Sequence, residues 1–399
     1  MLNEVCFHGK GRLRAMTYDP PQDAIAAATH PDPYPFYARL RDGPPLVRDE
    51  RLGLWIASRA EVVKEVLAHP QLRVRPAAEP VPRAIAGLPA GELFSQLIRM
   101  NDGPLHAVHR PVLARGLADL DLGASATLAR DVADGLQADT LDDWSLAMPV
   151  SAMAALLGFH SAQWPALVRW TRDFVACLSP LSSPGQLQAA SEGARELLRR
   201  FDALLESPRP GSLLAGIRDQ AREAPGVQRR ALLCNLAGLL SQTCDATAGL
   251  LGNAIVALRR EPGLHAALVQ VRADAEAFLA EVARHDSSVQ NTRRFVPEPL
   301  VVAGTALAAG DAVLVLLASA QRDATLHPEP DRFDLSRRER QLLGFGHGRH
   351  ACPGMALARA IAAAGVESLL SNRLADERDL PHQWRYRPSV NGRLPVFSV

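Results

Sequence analysis

From about residue 105 to 260, apolar residues recur at helical spacing, with breaks near 141–146, 179–185 and 208–212. The strongest helix runs over 230–260: it has no proline and is apolar for most of its length, as expected of an element buried on all sides. Further helices are expected at 59–67, 269–284 and 355–370, with a short one leading out of the turn chemistry of Asp32-Pro33-Tyr34-Pro35. Strand-like runs stand at 45–48, 53–56, 292–296, 301–302 and 312–317, punctuated by Gly304 and Gly310, and a short β region is expected near 385–396. Residues 71–103, rich in Pro, Ala and Gly, predict a long loop with a helical insert near 91–98, and so long an irregular connection is more often functional than accidental. No repeat interrupts this order. The pattern predicts a mainly α protein with a smaller β region, one domain over 1–399, with about 1–25 as an N-terminal extension whose order the pattern does not fix.

Composition narrows the class. The chain is 47% hydrophobic and 22% charged, as in ordinary globular proteins. Its 44 basic and 43 acidic residues give no global attraction to nucleic acid or anionic membranes. The first ten residues hold no apolar core of a leader, and apolar stretches elsewhere are interrupted too early to span a bilayer. Five cysteines, Cys6, Cys177, Cys234, Cys244 and Cys352, lack zinc or redox-pair spacing, and an odd count suits a reducing cytoplasm. Cys177 and Cys234 read as small buried hydrophobes.

Candidate chemistry concentrates at residues 344–359, Gly-Phe-Gly-His-Gly-Arg-His-Ala-Cys-Pro-Gly-Met-Ala-Leu-Ala-Arg. Cys352 follows a glycine-punctuated basic loop and precedes a helical run, where the helix dipole biases a thiol toward thiolate. Alone, the loop could be a tight turn ending in a buried thiol. It makes a poor dinucleotide loop, because no hydrophobic strand leads into it at the required spacing. Phe345, Gly346, Gly348, His350, Cys352 and Gly354 match the pattern Phe-Gly-x-Gly-x-His-x-Cys-x-Gly, and in this the chain resembles the cytochrome P450 family. The resemblance extends from Asp32-Pro-Tyr-Pro-Phe-Tyr to the C-terminal strands. It implies the cytochrome P450 fold, with Cys352 as the axial thiolate on haem iron, Phe345 covering the sulfur side, and glycines such as Gly346 letting backbone amides approach the sulfur.

Other motifs stand in the family's order. His106 and Arg110 resemble its His-x-x-x-Arg propionate pair, and Arg294 and His350 complete the implied set. Glu281-Val-Ala-Arg284 resembles the Glu-x-x-Arg pair, its i,i+3 spacing placing both charges on one helix face. Arg332, in Pro330-Asp331-Arg332-Phe333, is the implied third member of that buried network. Each of these taken alone reads as solvated surface charge.

The distal helix departs from the family pattern. Ser241-Gln242-Thr243-Cys244-Asp245-Ala246-Thr247 aligns with the oxygen-binding segment: Asp245 keeps the acid, and Gln242-Thr243 replaces a small-residue pair. Ala246 stands where a threonine ordinarily helps deliver protons, and Thr247 is about 100° further round the helix. Thr243 could relay protons from the opposite side. Ordered water or a substrate hydroxyl could replace the missing group, the oxidant could be peroxide, or activity could be lost. The pocket is expected from 71–103, 174–181, 243–247, 288–291 and 389–391, and polar Gln242, Thr243 and Asn291 favour an oxygenated substrate.

The resemblance therefore implies a monomeric haem-thiolate monooxygenase of the soluble bacterial type, carrying heme b (iron protoporphyrin IX). It would insert one oxygen atom from O2 into a small organic substrate, an oxygenated natural-product intermediate, with no nucleic-acid or membrane partner. Electrons would come from a separate ferredoxin or flavodoxin and its NAD(P)H-dependent reductase, since no flavin or iron–sulfur domain fits within these residues. A peroxide-using P450 and a non-catalytic haem-binding sensor or electron carrier are the alternatives.

Overall fold

The computed structural model describes residues 18–180, 182–270 and 274–398. Cys6, the first 17 residues of the expected extension, Leu181 at the edge of the expected pocket, and 271–273 within the helix expected at 269–284 lie outside them.

The proline-free apolar run forms one helix, Arg229–Arg260, buried along most of its length. Helices Leu141–Leu157, Trp164–Ala176, Pro184–Glu206, Ala275–His285 and Met355–Asn372 pack on it. The break expected at 141–146 is a correction, because a helix begins there. The Thr140 side chain caps it by accepting from Asp143 N–H at 3.0 Å, and Asp142 and Asp143 suit the positive end of its dipole. The polar residues that read as a break are the helix start.

The β portion is small. Strands β1 (Leu46–Asp49), β2 (Leu54–Ala57), β3 (Thr292–Phe295), β4 (Leu300–Val302), β5 (Thr305–Leu307), β6 (Ala312–Val315), β7 (Arg385–Tyr386) and β8 (Pro395–Val396) follow in chain order. They form a sheet ordered β1-β2-β6-β3 and two hairpins, β4-β5 and β7-β8. All four residues of β6 are buried, which explains their unbroken apolar run. The pattern did not predict β5, whose three residues are too few to show alternation. The C-terminal segment rests on the central helix at Gly249, where a Cβ would come within 2.9 Å of Arg393 O.

Glu281 and Arg284 lie on one face of Ala275–His285, wholly shielded from water. Glu281 accepts from Arg284 Nη2 at 2.7 Å and from Arg340 Nε at 2.9 Å, with Arg337 Nε 3.6 Å away. Arg332 does not join them: its side chain pairs with Glu329 at the surface, and only its carbonyl takes part, accepting from Arg284 Nη2 at 2.9 Å. Arg340 is the third member in its place. Glu281→Ala would strand buried guanidinium groups, so it should cost about 3–5 kcal/mol in urea unfolding. Arg332→Ala should leave the urea midpoint in place, and a large loss from Arg332→Ala would contradict the assignment.

Candidate functional site

Glycines keep residues 344–354 from continuing as helix, and the segment folds back on itself. Gly346 takes φ +79°, and a Cβ there would stand 3.2 Å from His350 O. The reversal lets Cys352 N–H donate to Phe345 O at 2.8 Å. Arg110, on helix Pro104–Ala118, clasps the loop: Nε donates to Arg349 O at 2.9 Å and Nη2 to Ala351 O at 2.7 Å. Burial pushes the Cys352 thiol above its ordinary pKa, against the Gly354 N–H and the Arg110 charge, which favour thiolate. A metal cation would tip that balance, since thiol ligands bind deprotonated.

The expected propionate partners gather beside this loop. The His106 and His350 rings lie 4.4 Å apart. Burial, then the charges of His350 and Arg110, push His106 down to about 4, so the ring is neutral at pH 7. His106 Nε2 and Arg110 Nη1 are both buried without a hydrogen-bond partner among the described residues. Arg294, on β3, is buried, and burial lowers its pKa to about 10, which leaves it cationic.

Asp102 orders the cluster and was not singled out from the sequence. It accepts from His350 Nε2 at 2.9 Å, from Arg349 Nη2 at 3.1 Å and from Val74 N–H at 2.9 Å. Burial opposes its ionisation, yet these bonds and charges hold the carboxyl well below the usual carboxylate range. Its only signal is the turn chemistry of Asn101-Asp102-Gly103 just before the helix that carries His106.

A cavity of about 1030 Å³ is lined by Cys352, Phe345, Gly346, His106, Arg110, Arg294 and His350, and also by Thr243, Asp245, Ala246 and Thr247 of the central helix. These eleven residues, named from the sequence, thus border one space. The unpartnered Arg110 Nη1 donor and His106 Nε2, beside the buried Arg294 guanidinium, suit the two propionates of a haem, and a thiol opens on the same cavity, so the residues present fit that group.

On the central helix, polar side chains turn inward to their own backbone. Gln242 Nε2 donates to Gly238 O at 2.9 Å and Thr243 Oγ1 to Leu239 O at 2.8 Å. Asp245 is held in an ion pair with Arg387 of the C-terminal segment. Ala246 brings no hydroxyl, and Thr247 is buried.

The family model for cytochrome P450 matches residues 274–374. Cytochrome P450 monooxygenase PikC of Streptomyces venezuelae is 31% identical over 356 residues, which cover 85% of this chain and 83% of that protein. Linalool 8-monooxygenase of Pseudomonas putida is 29% identical over 314 residues, 75% of this chain and 76% of that one. The crystal structure of CalO2 superposes with TM-score 0.79 at 25% identity, covering 95% of this chain and 98% of its own. That of P450BioI with an acyl carrier protein bearing hexadec-9Z-enoic acid gives TM-score 0.77 at 21% identity over 91% of this chain and 97% of its own, a likeness of fold.

Arg110→Met would leave two carbonyls of the cysteine loop without donors, a loss of roughly 1–3 kcal/mol. The haem-free variant should unfold at lower urea, and the purified variant should hold less haem per chain by pyridine haemochrome absorbance. Unchanged values for both would show that the clasp does not support the site.

Proposed function

Because this chain belongs to the cytochrome P450 family and is a P450 monooxygenase, we propose that residues 1–399 form one such domain, binding heme b through Cys352. Its substrate is a small, oxygenated natural-product intermediate, into which it inserts one oxygen atom from O2. The observation that carries this reading is the convergence of the Cys352 thiol and the unpartnered nitrogens of His106 and Arg110 on one cavity. When bound, the haem supplies the redox chemistry that activates dioxygen. Cys352 releases its proton to become the ligand, and the Gly354 N–H with Arg110 stabilises the charge left on sulfur. His106, Arg110, Arg294 and His350 orient the group at its propionates, and Phe345 shields the sulfur.

Proton handling on the helix side differs from a simple acid–alcohol pair. Thr243 Oγ1 directs its proton to Leu239 O, so toward the cavity it offers an acceptor. Asp245 serves as the acid of the route and is restrained by Arg387. Ala246, next to Asp245, brings no hydroxyl, so ordered water or a hydroxyl of the substrate completes the path, and Thr247 and Ser241 are the other hydroxyls of this wall. The amide oxygens of Gln242 and Asn291 accept no hydrogen bond from the described residues, while their nitrogens bond to Gly238 O and Val390 O. Such free acceptors favour a substrate with hydroxyl or amide donors. Electrons come from a separate ferredoxin or flavodoxin with its NAD(P)H-dependent reductase. The missing hydroxyl at Ala246 also favours a second reading, in which peroxide is the oxidant.

The test is the carbon-monoxide difference spectrum of the reduced, haem-loaded protein beside Cys352→Ser. A long-wavelength Soret band that vanishes in the variant is expected. No haem uptake, or a spectrum that survives the substitution, would refute ligation by Cys352.

A further inference from the structure

Arg99 carries a charge that the protein leaves unanswered. It lies in the turn Ile98–Met100 and borders the cavity that contains Cys352. Among the described residues its guanidinium makes no ion pair and no hydrogen bond, and its Nε is buried without a partner. Burial lowers its pKa to about 10, and no neighbouring charge contributes, so the group is cationic at pH 7. Arg99 is half-buried, and a guanidinium held at a cavity wall with no protein partner keeps its donors free for a ligand.

The turn is firmly held. Asn235, a buried residue of the central helix, accepts from Ile98 N–H at 2.8 Å and donates to Gln96 O at 2.8 Å. Asn101 Nδ2 donates to Ser95 O and to Leu97 O, each at 2.8 Å. Amide side chains therefore pin the backbone leading into Arg99, one of them reaching back from Asn101 just beyond it, as expected for a binding group set in place before its ligand arrives.

The cofactor's partners are a separate cluster. Asp102 and Arg349 act on the charge of Arg294, whereas no charged group acts on that of Arg99. Three other cations on the cavity wall have carboxylate partners: Arg387 pairs with Asp245, Arg393 with Asp286, and Arg172 with Asp143.

We propose that Arg99 is a substrate-anchoring residue and that the substrate carries a carboxylate. This rests on the monooxygenase reading and narrows the oxygenated substrate to an organic acid. The planar fork of one guanidinium matches one carboxylate through two parallel hydrogen bonds.

Titration of the holoenzyme with straight-chain, terpenoid and aromatic carboxylic acids, each beside its methyl ester, tests this by calorimetry and by the Soret shift. Acids should bind roughly 10-fold or more tightly than their esters, the scale of one charge-assisted hydrogen bond. The preference should vanish in Arg99→Gln and persist in Arg99→Lys. Arg99→Gln removes an unpaired charge, so the thermal midpoint of the holoenzyme should hold or rise, separating lost binding from lost folding. Esters that bind as well as acids, a panel in which no acid binds, or a preference that survives Arg99→Gln would overturn the proposal. Haem loss in Arg99→Gln with an unchanged acid-to-ester ratio would assign Arg99 to a propionate and overturn it as well. A protein without the thiolate band would count against the monooxygenase reading alone, since calorimetry reads the acid preference independently of that band.

Discussion

Glu281 is wholly withdrawn from water, and a carboxylate there persists only if every oxygen is met. Arg284 and Arg340 supply two guanidinium groups, and Asp334 N–H adds a third donor at 2.9 Å. The arginines are in turn fastened to backbone. Arg284 Nη1 donates to Pro330 O at 2.6 Å, and Arg340 Nη2 to Leu335 O at 2.9 Å. One buried charge thereby fixes the path of an irregular segment that regular secondary structure could not hold.

That path leads into the cysteine loop. Gln321 Nε2 donates to Ala283 O at 2.6 Å, in the same helix as Glu281. His327 Nδ1 donates to Gln321 O at 3.1 Å, and its Nε2 accepts from Gln341 N–H at 3.1 Å. A ring that donates at one nitrogen and accepts at the other is neutral, which agrees with burial lowering the pKa of His327. The chain is therefore registered a few residues before Phe345, and Arg110 completes the hold from another helix. Apart from Arg110, the placement of Cys352 depends on side chains that do not line the cavity, Glu281, Arg340, Gln321 and His327 among them.

The elements legible in the sequence were those with a period or a local motif. The central helix was visible because 32 residues without proline share one apolar pattern. Cys352 and its glycines were visible because the loop's chemistry is contiguous. Arg340 and Asp102 were not, since each acts across irregular backbone, where no periodicity tells which way a side chain points. Arg332 had the right neighbours in sequence, but its carbonyl, and not its side chain, faces Arg284. The start at Thr140 was misread for a related reason: cap residues are polar, and a polar cluster between apolar runs looks the same at a break and at a beginning.

The cavity shows how its two walls divide the electrostatic task. At the loop side, positive charge is in excess: Arg110 Nη1 and His106 Nε2 have no protein partner, Arg294 is cationic, and Asp102 is already engaged by His350, Arg349 and Val74. On the central helix the polar groups near Ala246 are tied to their own backbone or to Arg387, which leaves little free proton-donating capacity in the protein itself. A bound molecule that presents a hydroxyl near Thr243 and an acid group near Arg99 would answer both deficits. Such a molecule would link substrate identity to proton delivery, because the group answering the unpaired cation would arrive together with the hydroxyl that Ala246 lacks.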